Sequence, residues 1–318
     1  MDFRLQDINP ENFNEKALEV FEFQRKNNPI YAAFCQSILK KTVSQVVDIP
    51  FLPIPFFKTH QVGCFADINL SYFESSGTSS QTNAKHYYKD LGLYQQSIEL
   101  GFNHFFKGIE YTIVGLLPHY LERQHSSLVH MVRHWMRMNN QEVYFYLHNL
   151  PDLNEKLHEL LSQKKEVLLI GISFALLDFG DRFNILNSKL SIIETGGMKG
   201  SRPELTKIEL HSKLKSAFPL SSIISEYGMC ELFSQAYSDT SLWFSCPPWM
   251  RVCVGDVTDP LQIEEQGRGP AKIIDLANLY SCSFIETQDL IELKSNGEFQ
   301  LLGRMNQADA RGCSLMYN

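Results

Sequence analysis

The chain has 318 residues, enough for two domains or for one large domain with a smaller lobe. Hydrophobic residues make up 44% and charged residues 20%, which excludes a disordered chain and describes an ordinary globular one. The formal net charge is -7 with no basic block, so a nucleic-acid partner is not expected, because neutralising phosphates requires clustered Lys and Arg.

The first residues, MDFRLQDINPENFNEK, are polar and acidic where a signal peptide needs a basic start and an apolar stretch. A cytoplasmic, reduced location is therefore the expectation. Apolar and aromatic residues from Ala17 to Phe34 predict a helical region broken at Asn27, Asn28 and Pro29. IPFLPIPFFKTH, 49–60, carries three prolines among large apolar residues and predicts a buried extended connector. Next comes YFESSGTSSQTNAKHYYKD, with four serines, two threonines and one glycine between Ser75 and Lys85. Gly77 opens backbone conformations closed to other residues, and hydroxyl and N–H groups in such a loop can surround phosphate oxygens. A plain surface loop has the same composition, and the GxxxxGK[ST] order of a Walker loop is absent. A helix is predicted from His86 to Gly101.

YTIVGLLP, 111–118, predicts a buried strand ended by Pro118 and followed by a helix with Leu121, Leu128, Val129, Val132, Trp135 and Met136 at helical spacing. His119, His125, His130 and His134 recur there without forming one face and without partner carboxylates, so packed or solvated histidines are expected in place of a metal set. EVLLIGISF begins a second strand-to-helix unit. Its apolar stretch at 167–179 is too short to span a membrane, and SFALLD, 173–178, is a candidate lining for an acyl channel. LSIIETGG and SSIISEYGM are two further strands that end in polar or glycine loops. Alternating strand and helix predicts an α/β domain with parallel-rich sheets flanked by helices, 1–240 including the N-terminal helical region. Beyond it, MRVCVGDV, GPAKIIDLA, LIELKS and EFQLLG predict a small β-rich lobe with a short tail, 241–318, the Asn-Gly pair at 296–297 forming a hairpin turn. Trp243 and Trp249 flank FSCPP and read as packing residues.

Seven cysteines, Cys35, Cys64, Cys230, Cys246, Cys253, Cys282 and Cys313, form no CxxC pair, so neither a zinc cluster nor a disulfide framework is indicated.

Taken in order, SSGTSS (75–80), IETGGMKGSR (193–202), SEYGMCEL (225–232), IETQDL (285–290) and LLGRMNQADARG (301–312) resemble the core motifs of the adenylate-forming superfamily. Within it the chain most resembles the acyl-protein synthetases, the long-chain fatty acid luciferin-component ligases and their non-luminous relatives, from about Phe21 onward. The resemblance implies the N-terminal-type domain of an adenylate-forming enzyme and an ATP- and Mg²⁺-dependent ligase. Such an enzyme activates a carboxylic acid, here expected to be fatty, as acyl-AMP and passes the acyl group to a protein thiol. It implies that Ser75, Ser76, Gly77, Thr78, Ser79 and Ser80 close over the phosphates and that Gly196, Gly197 and Lys199 line the nucleotide pocket. Tyr227, with Gly228, Met229 and Cys230 beside it, packs on adenine, Glu231 holds Mg²⁺, Asp289 binds ribose hydroxyls, and Arg304 reaches the ribose or phosphates. Cys313 stands where the family carries its acyl-accepting cysteine, with Cys230 as the rival acceptor. Catalytic roles therefore fall on Glu231, Lys199, Arg304 and Cys313. The implied partners are the acid substrate and an acyl-accepting reductase, acyltransferase or carrier protein.

Three departures stand out. The superfamily's second glycine, proline and lysine are replaced by Ser80, Gln81, Thr82 and Asn83, with Lys85 nearby; Cys230 replaces a threonine; and the sequence ends at Asn318, so a mobile C-terminal lid is expected to be absent or vestigial. Two alternatives stay open: the altered loop motivates an ATP-independent acyltransferase using an acyl thioester, and the expected loss of the lid a non-catalytic nucleotide- or acyl-binding subunit.

Overall fold

A computed structural model describes residues 3–65, 70–76, 83–118, 123–196, 205–256, 259 and 261–305. In chain order the elements are α1 (Phe13–Asn27), α2 (Pro29–Ile38), β1 (Leu52–Pro53), α3 (Phe56–Thr59), β2 (Ser71–Glu74), β3 (Lys85–Tyr88) and α4 (Gly92–Phe105). Then come β4 (Tyr111–Leu116), α5 (Ser127–Met138), α6 (Leu150–Ser162), β5 (Glu166–Ile172), α7 (Ser173–Gly180), β6 (Leu190–Thr195), α8 (Lys207–Ala217) and β7 (Ser222–Tyr227). The last are β8 (Ala236–Ser238), β9 (Phe244–Ser245), β10 (Met250–Gly255), β11 (Ile263–Glu264), β12 (Gly267–Asp275), β13 (Phe284–Leu293) and β14 (Phe299–Arg304). Contacts divide the chain into two units, one of residues 1–97, 230–234 and 245–318, the other of 98–229 and 235–244. The first contains Glu231 and the second Gly196.

In the unit containing Gly196, β4, β5, β6 and β7 pair in parallel in that order, and β8 adds antiparallel to β7. The strands read as unbroken apolar runs because both faces are covered, with Val114, Leu169, Ile192 and Ile223 packed against Leu157 of α6, Phe179 of α7 and Leu214 of α8. Each helix start has a local cause. Ser126 and Asn149 accept hydrogen bonds from the first turns of α5 and α6, and Thr206 with Glu209 forms a capping box on α8. Parallel pairing leaves the carboxyl ends of β6 and β7, Thr195 and Tyr227, at one edge of the sheet, where open α/β sheets bind ligands.

In the unit containing Glu231, β10, β12, β13 and β14 form an antiparallel meander, with β1 parallel to β13 and β11 antiparallel to β10. Gly297, at φ +86°, makes the turn between β13 and β14, as the Asn-Gly pair predicts. Phe21, Tyr31 and Phe51 pack their rings around Phe284. Asn28 breaks the N-terminal helical region where expected, capping α2 through its side chain with Pro29 at the first helical position.

Two local expectations are corrected. The segment at 49–60 is not wholly extended, since α3 makes one helical turn after Pro55, the residue type best suited to start one. The segment beginning at His86 is a strand, not a helix. β3 pairs antiparallel with β2 in the register Phe73↔His86 and Glu74↔Lys85, and helix α4 starts only at Gly92. His86 and Phe73 share the buried face of this hairpin, a period of two that the aromatic run KHYY did not reveal.

Candidate functional site

The hydroxyl-rich loop leaves and rejoins the β2–β3 hairpin at a closed stem. Ser75 N–H donates to the Ala84 carbonyl at 3.0 Å, and Ala84 N–H donates to Ser75 Oγ at 2.9 Å. Gly77, Thr78, Ser79 and Ser80 lie outside the described residues, as do Gly197, Lys199 and Cys313. Lys85, the lysine nearest the loop, places its Nζ 4.3 Å above the Tyr72 ring.

The Ala84 carbonyl also accepts a weak bond from Cys230 Sγ, at 3.8 Å. Around Cys230 the main chain is held group by group. His86 Nδ1 lies 2.8 Å from the Cys230 carbonyl, and Asn278 Nδ2 donates to the Glu231 carbonyl at 2.8 Å. Asp275 accepts from the N–H groups of Phe233 and Ser234, each at 2.9 Å, and from Ser234 Oγ at 2.6 Å. Burial pushes the Asp275 carboxyl up to about 6, against the donors that favour its ionised form. Burial likewise pushes the His86 ring down to about 4, leaving it neutral near pH 7.

Glu231 is 6% exposed, and burial raises its pKa; Arg304 and Lys58 are cations close enough to oppose that rise. Arg304 Nε donates to Asp289 Oδ1 at 2.7 Å across the β13–β14 pairing. Asp289 is nearly covered, with 8% of its side chain exposed, whereas Arg304 is 76% exposed. Hence Ser75, Ala84, Cys230, Glu231, Asp289 and Arg304, drawn from distant parts of the sequence, belong to one neighbourhood of one unit.

Among the described residues no group of three His, Cys, Asp or Glu side chains is arranged to hold a metal. A single buried carboxylate with no protein cage fits Mg²⁺, which keeps waters and takes its other ligands from substrate phosphates. It does not fit a structural metal. His130 and His134 stack with ring centroids 6.4 Å apart, and His134 Nε2 meets Glu99 Oε1 at 2.7 Å.

In the other unit, Gly196 takes a φ of +72°, open to glycine and strained for other residues, immediately after β6. Beneath it lies a buried network that sequence reasoning missed. Glu194 accepts from Ser173 Oγ at 2.8 Å, from Lys207 Nζ at 2.5 Å and from Ser225 Oγ. His211 Nε2 lies 2.8 Å from Ser225 Oγ. Burial alone would raise the Glu194 pKa; Lys207, His211 and Ser225 together bring it down to about 2. Ser173 Oγ is also 3.1 Å from the Gly196 carbonyl. Thr195 Oγ1 donates to Glu226, whose carboxyl burial pushes up to about 7. A carboxylate ending each apolar strand, in IIET and ISEY, was the available signal. Tyr227 packs edge-on against Phe244, ring centroids 6.0 Å apart. From Ser173 onward α7 lines a cavity of about 240 Å³ through Phe174, Ala175 and Asp178, together with Leu147, His148 and Leu150.

No protein-family model matches the sequence, and no curated protein matches it. Solved structures do match. ATP-bound MatB from Rhodopseudomonas palustris aligns with 73% of this chain at a TM-score of 0.55 and 12% identity. The O-succinylbenzoate coenzyme A synthetase MenE from Bacillus subtilis, with ATP and magnesium ion, aligns with 73% at 0.51 and 13%. An open conformation of 2-hydroxyisobutyryl-CoA ligase, with 2-HIB-AMP and CoA, aligns with 91% at 0.64 and 11%, the match covering 73% of the ligase chain. The alignments cover 47% and 49% of the MatB and MenE chains, so this chain spans about half their length. At these identities the likeness establishes the fold: the α/β architecture of the N-terminal domain of adenylate-forming enzymes. No helix among the described residues is long and apolar enough to cross a membrane.

Proposed function

We propose that the chain activates a carboxylic acid with ATP and Mg²⁺ and transfers the acyl group to a protein thiol. The observation that carries this reading is the convergence of the hydroxyl-loop stem with Cys230, Glu231, Asp289 and Arg304 in one unit. Forming an acyl phosphate anhydride needs charge neutralisation and placement of reactants more than a strong base, and hydroxyls, one carboxylate and a guanidinium are the groups for it. A carboxylate oxygen attacks the α-phosphorus and pyrophosphate leaves; a thiolate then attacks the acyl carbon, and AMP leaves. Glu231 would hold Mg²⁺, which would neutralise phosphate charge when bound, and Asp289 and Arg304 would hold the ribose side.

The acceptor we assign is Cys313. The chemistry of the other six thiols supports this choice: burial raises the pKa of Cys35 to about 11, of Cys64 and Cys253 to about 12, and of Cys230, Cys246 and Cys282 as well. A thiol raised in this way yields little nucleophilic thiolate near pH 7.

The test is acid-dependent exchange of labelled pyrophosphate into ATP with a panel of aliphatic and aromatic acids. Exchange with at least one acid is expected. Its absence across the panel, together with acyl transfer from a preformed thioester, would replace adenylation by the ATP-independent acyltransferase. For the second step, a hydroxylamine-labile acyl label should disappear in Cys313→Ser and persist in Cys230→Ser; the reverse pattern overturns the acceptor.

A further inference from the structure

The hydroxyl-loop stem and the main chain at Glu231 are brought together by one side chain that no motif includes, His86, which reaches Cys230 across 144 residues. His86 lies two positions beyond Ala84, the residue that closes the loop stem. Its Nδ1 faces the Cys230 carbonyl at 2.8 Å, and because a carbonyl only accepts, the proton resides on Nδ1. Nε2 therefore accepts from the Ser281 hydroxyl at 2.7 Å. The ring stacks on Phe233 with centroids 4.4 Å apart and meets Phe57 edge-on at 5.7 Å. The imidazole is thus fixed by two hydrogen bonds and two aromatic contacts, and it is completely buried.

Two consequences follow for Glu231. The carbonyl before it is held by His86 and its own carbonyl by Asn278, so the main chain on both sides of its Cα is fixed. The loop stem is fixed from the same point, because Ala84, which closes it against Ser75, directly precedes β3, the short strand that carries His86. We propose that His86 is a positioning residue, setting the stem of the hydroxyl loop in register with Glu231 so that both meet the phosphates of one nucleotide. This rests on the adenylation reading for its chemistry and on geometry alone for the clamp.

The experiment uses three variants of the full chain. His86→Phe keeps the ring stack and removes both hydrogen bonds; His86→Asn offers a donor toward the Cys230 carbonyl; Ser281→Ala removes only the Nε2 partner. In pyrophosphate exchange, His86→Phe should lower kcat/KM for ATP by roughly tenfold to hundredfold while KM for the acid stays within about twofold. Ser281→Ala should cost about threefold, and His86→Asn should recover part of the loss. A merely structural role would reduce the folded fraction and leave the KM for ATP of the folded molecules unchanged, a result that overturns the proposal. If His86→Phe does not fold, Ser281→Ala and His86→Asn carry the same comparison.

Hydrogen exchange separates this proposal from the adenylation reading, since it needs no substrate. The amides of Ser75 and Ala84 should exchange at least about tenfold faster in His86→Phe while those of β10 and β12 keep their rates. Unchanged exchange at Ser75 and Ala84 overturns the clamp even in an active enzyme. Faster exchange there in a protein that never makes acyl-AMP upholds the clamp and rejects the adenylation reading.

Discussion

The two units secure their candidate site residues by different physics. Around Glu231 the main chain is held by hydrogen bonds from His86 and Asn278 and by Asp275, a carboxylate that receives N–H and O–H donors without an ion pair among the described residues. Under Gly196 the anchor is ionic: Glu194 is fully buried and paired with Lys207. A hydrogen-bond net loses its members one at a time at about 1–3 kcal/mol each, whereas a buried charge deprived of its partner costs about 3–5 kcal/mol at once. The segment at 230–234 is thus built to lose strength stepwise, and the Gly196 turn to lose it in one step.

The sharpest way to break this contrast is to remove one partner from each net. Lys207→Met should destabilise by about 4 kcal/mol, because Ser173 and Ser225, with His211 at 3.7 Å, cannot compensate the Glu194 charge. Asp275→Asn should cost about 2 kcal/mol, the amide presenting an NH₂ group where two backbone donors converge. Urea unfolding midpoints measure both. A loss in Asp275→Asn equal to or larger than that in Lys207→Met would show that the ionic anchor is no stronger than the hydrogen-bonded one.

A titration of stability sharpens it next, because two buried groups, Glu226 in one unit and His86 in the other, respond to pH with opposite signs. The Glu226 carboxyl sits at about 7 against an ordinary 4.5, so the folded state holds a proton that the unfolded chain releases, and stability falls as pH rises from 4.5 to 7. His86 sits at about 4 against 6.5, so the unfolded chain binds the extra proton and stability is lost as pH falls from 6.5 to 4. Glu226→Gln should remove the first slope, on the order of 2–3 kcal/mol, and His86→Phe the second. Denaturant unfolding at a series of pH values reads both slopes; equal slopes in wild type and variant would remove the titration from the group concerned.

What the sequence disclosed follows the same division. The parallel strands were legible because they are covered on both faces and read as apolar runs such as EVLLIGI and LSIIE, and Asn28-Pro29 and Asn296-Gly297 mark boundaries through their own backbone preferences. The aromatic run after the hydroxyl loop was misread, since KHYYKDLGLYQQ satisfies a helical period as well as an alternating one; pairing with β2 decided it. Helices α6 and α8 went unread, although Asn149 and the Thr206–Glu209 pair supply caps, because their polar faces blend with the flanking loops. Motif order brought forward Glu231, Asp289 and Arg304. It could not bring forward His86, Asp275, Glu194 or Lys207, whose importance lies in contacts between segments far apart in the chain.

The smallest effect tests the weakest strand of the hydrogen-bond net. The Cys230 thiol reaches the Ala84 carbonyl at 3.8 Å, a long sulfur contact in a buried place. Cys230→Ser exchanges a weak donor for a stronger one on a shorter bond and removes some apolar volume, so the gains and losses oppose each other within about 1 kcal/mol. Because burial and the neighbouring Glu231 both raise the Cys230 pKa, the native thiol should resist alkylation by iodoacetamide at pH 8 and react once urea unfolds the chain. Peptide mass analysis before and after unfolding reads the modification at this one site. Rapid native alkylation of Cys230, or a loss above about 2 kcal/mol in Cys230→Ser, would make the thiol more than a weak tie to the loop stem and would return it to contention as acyl acceptor.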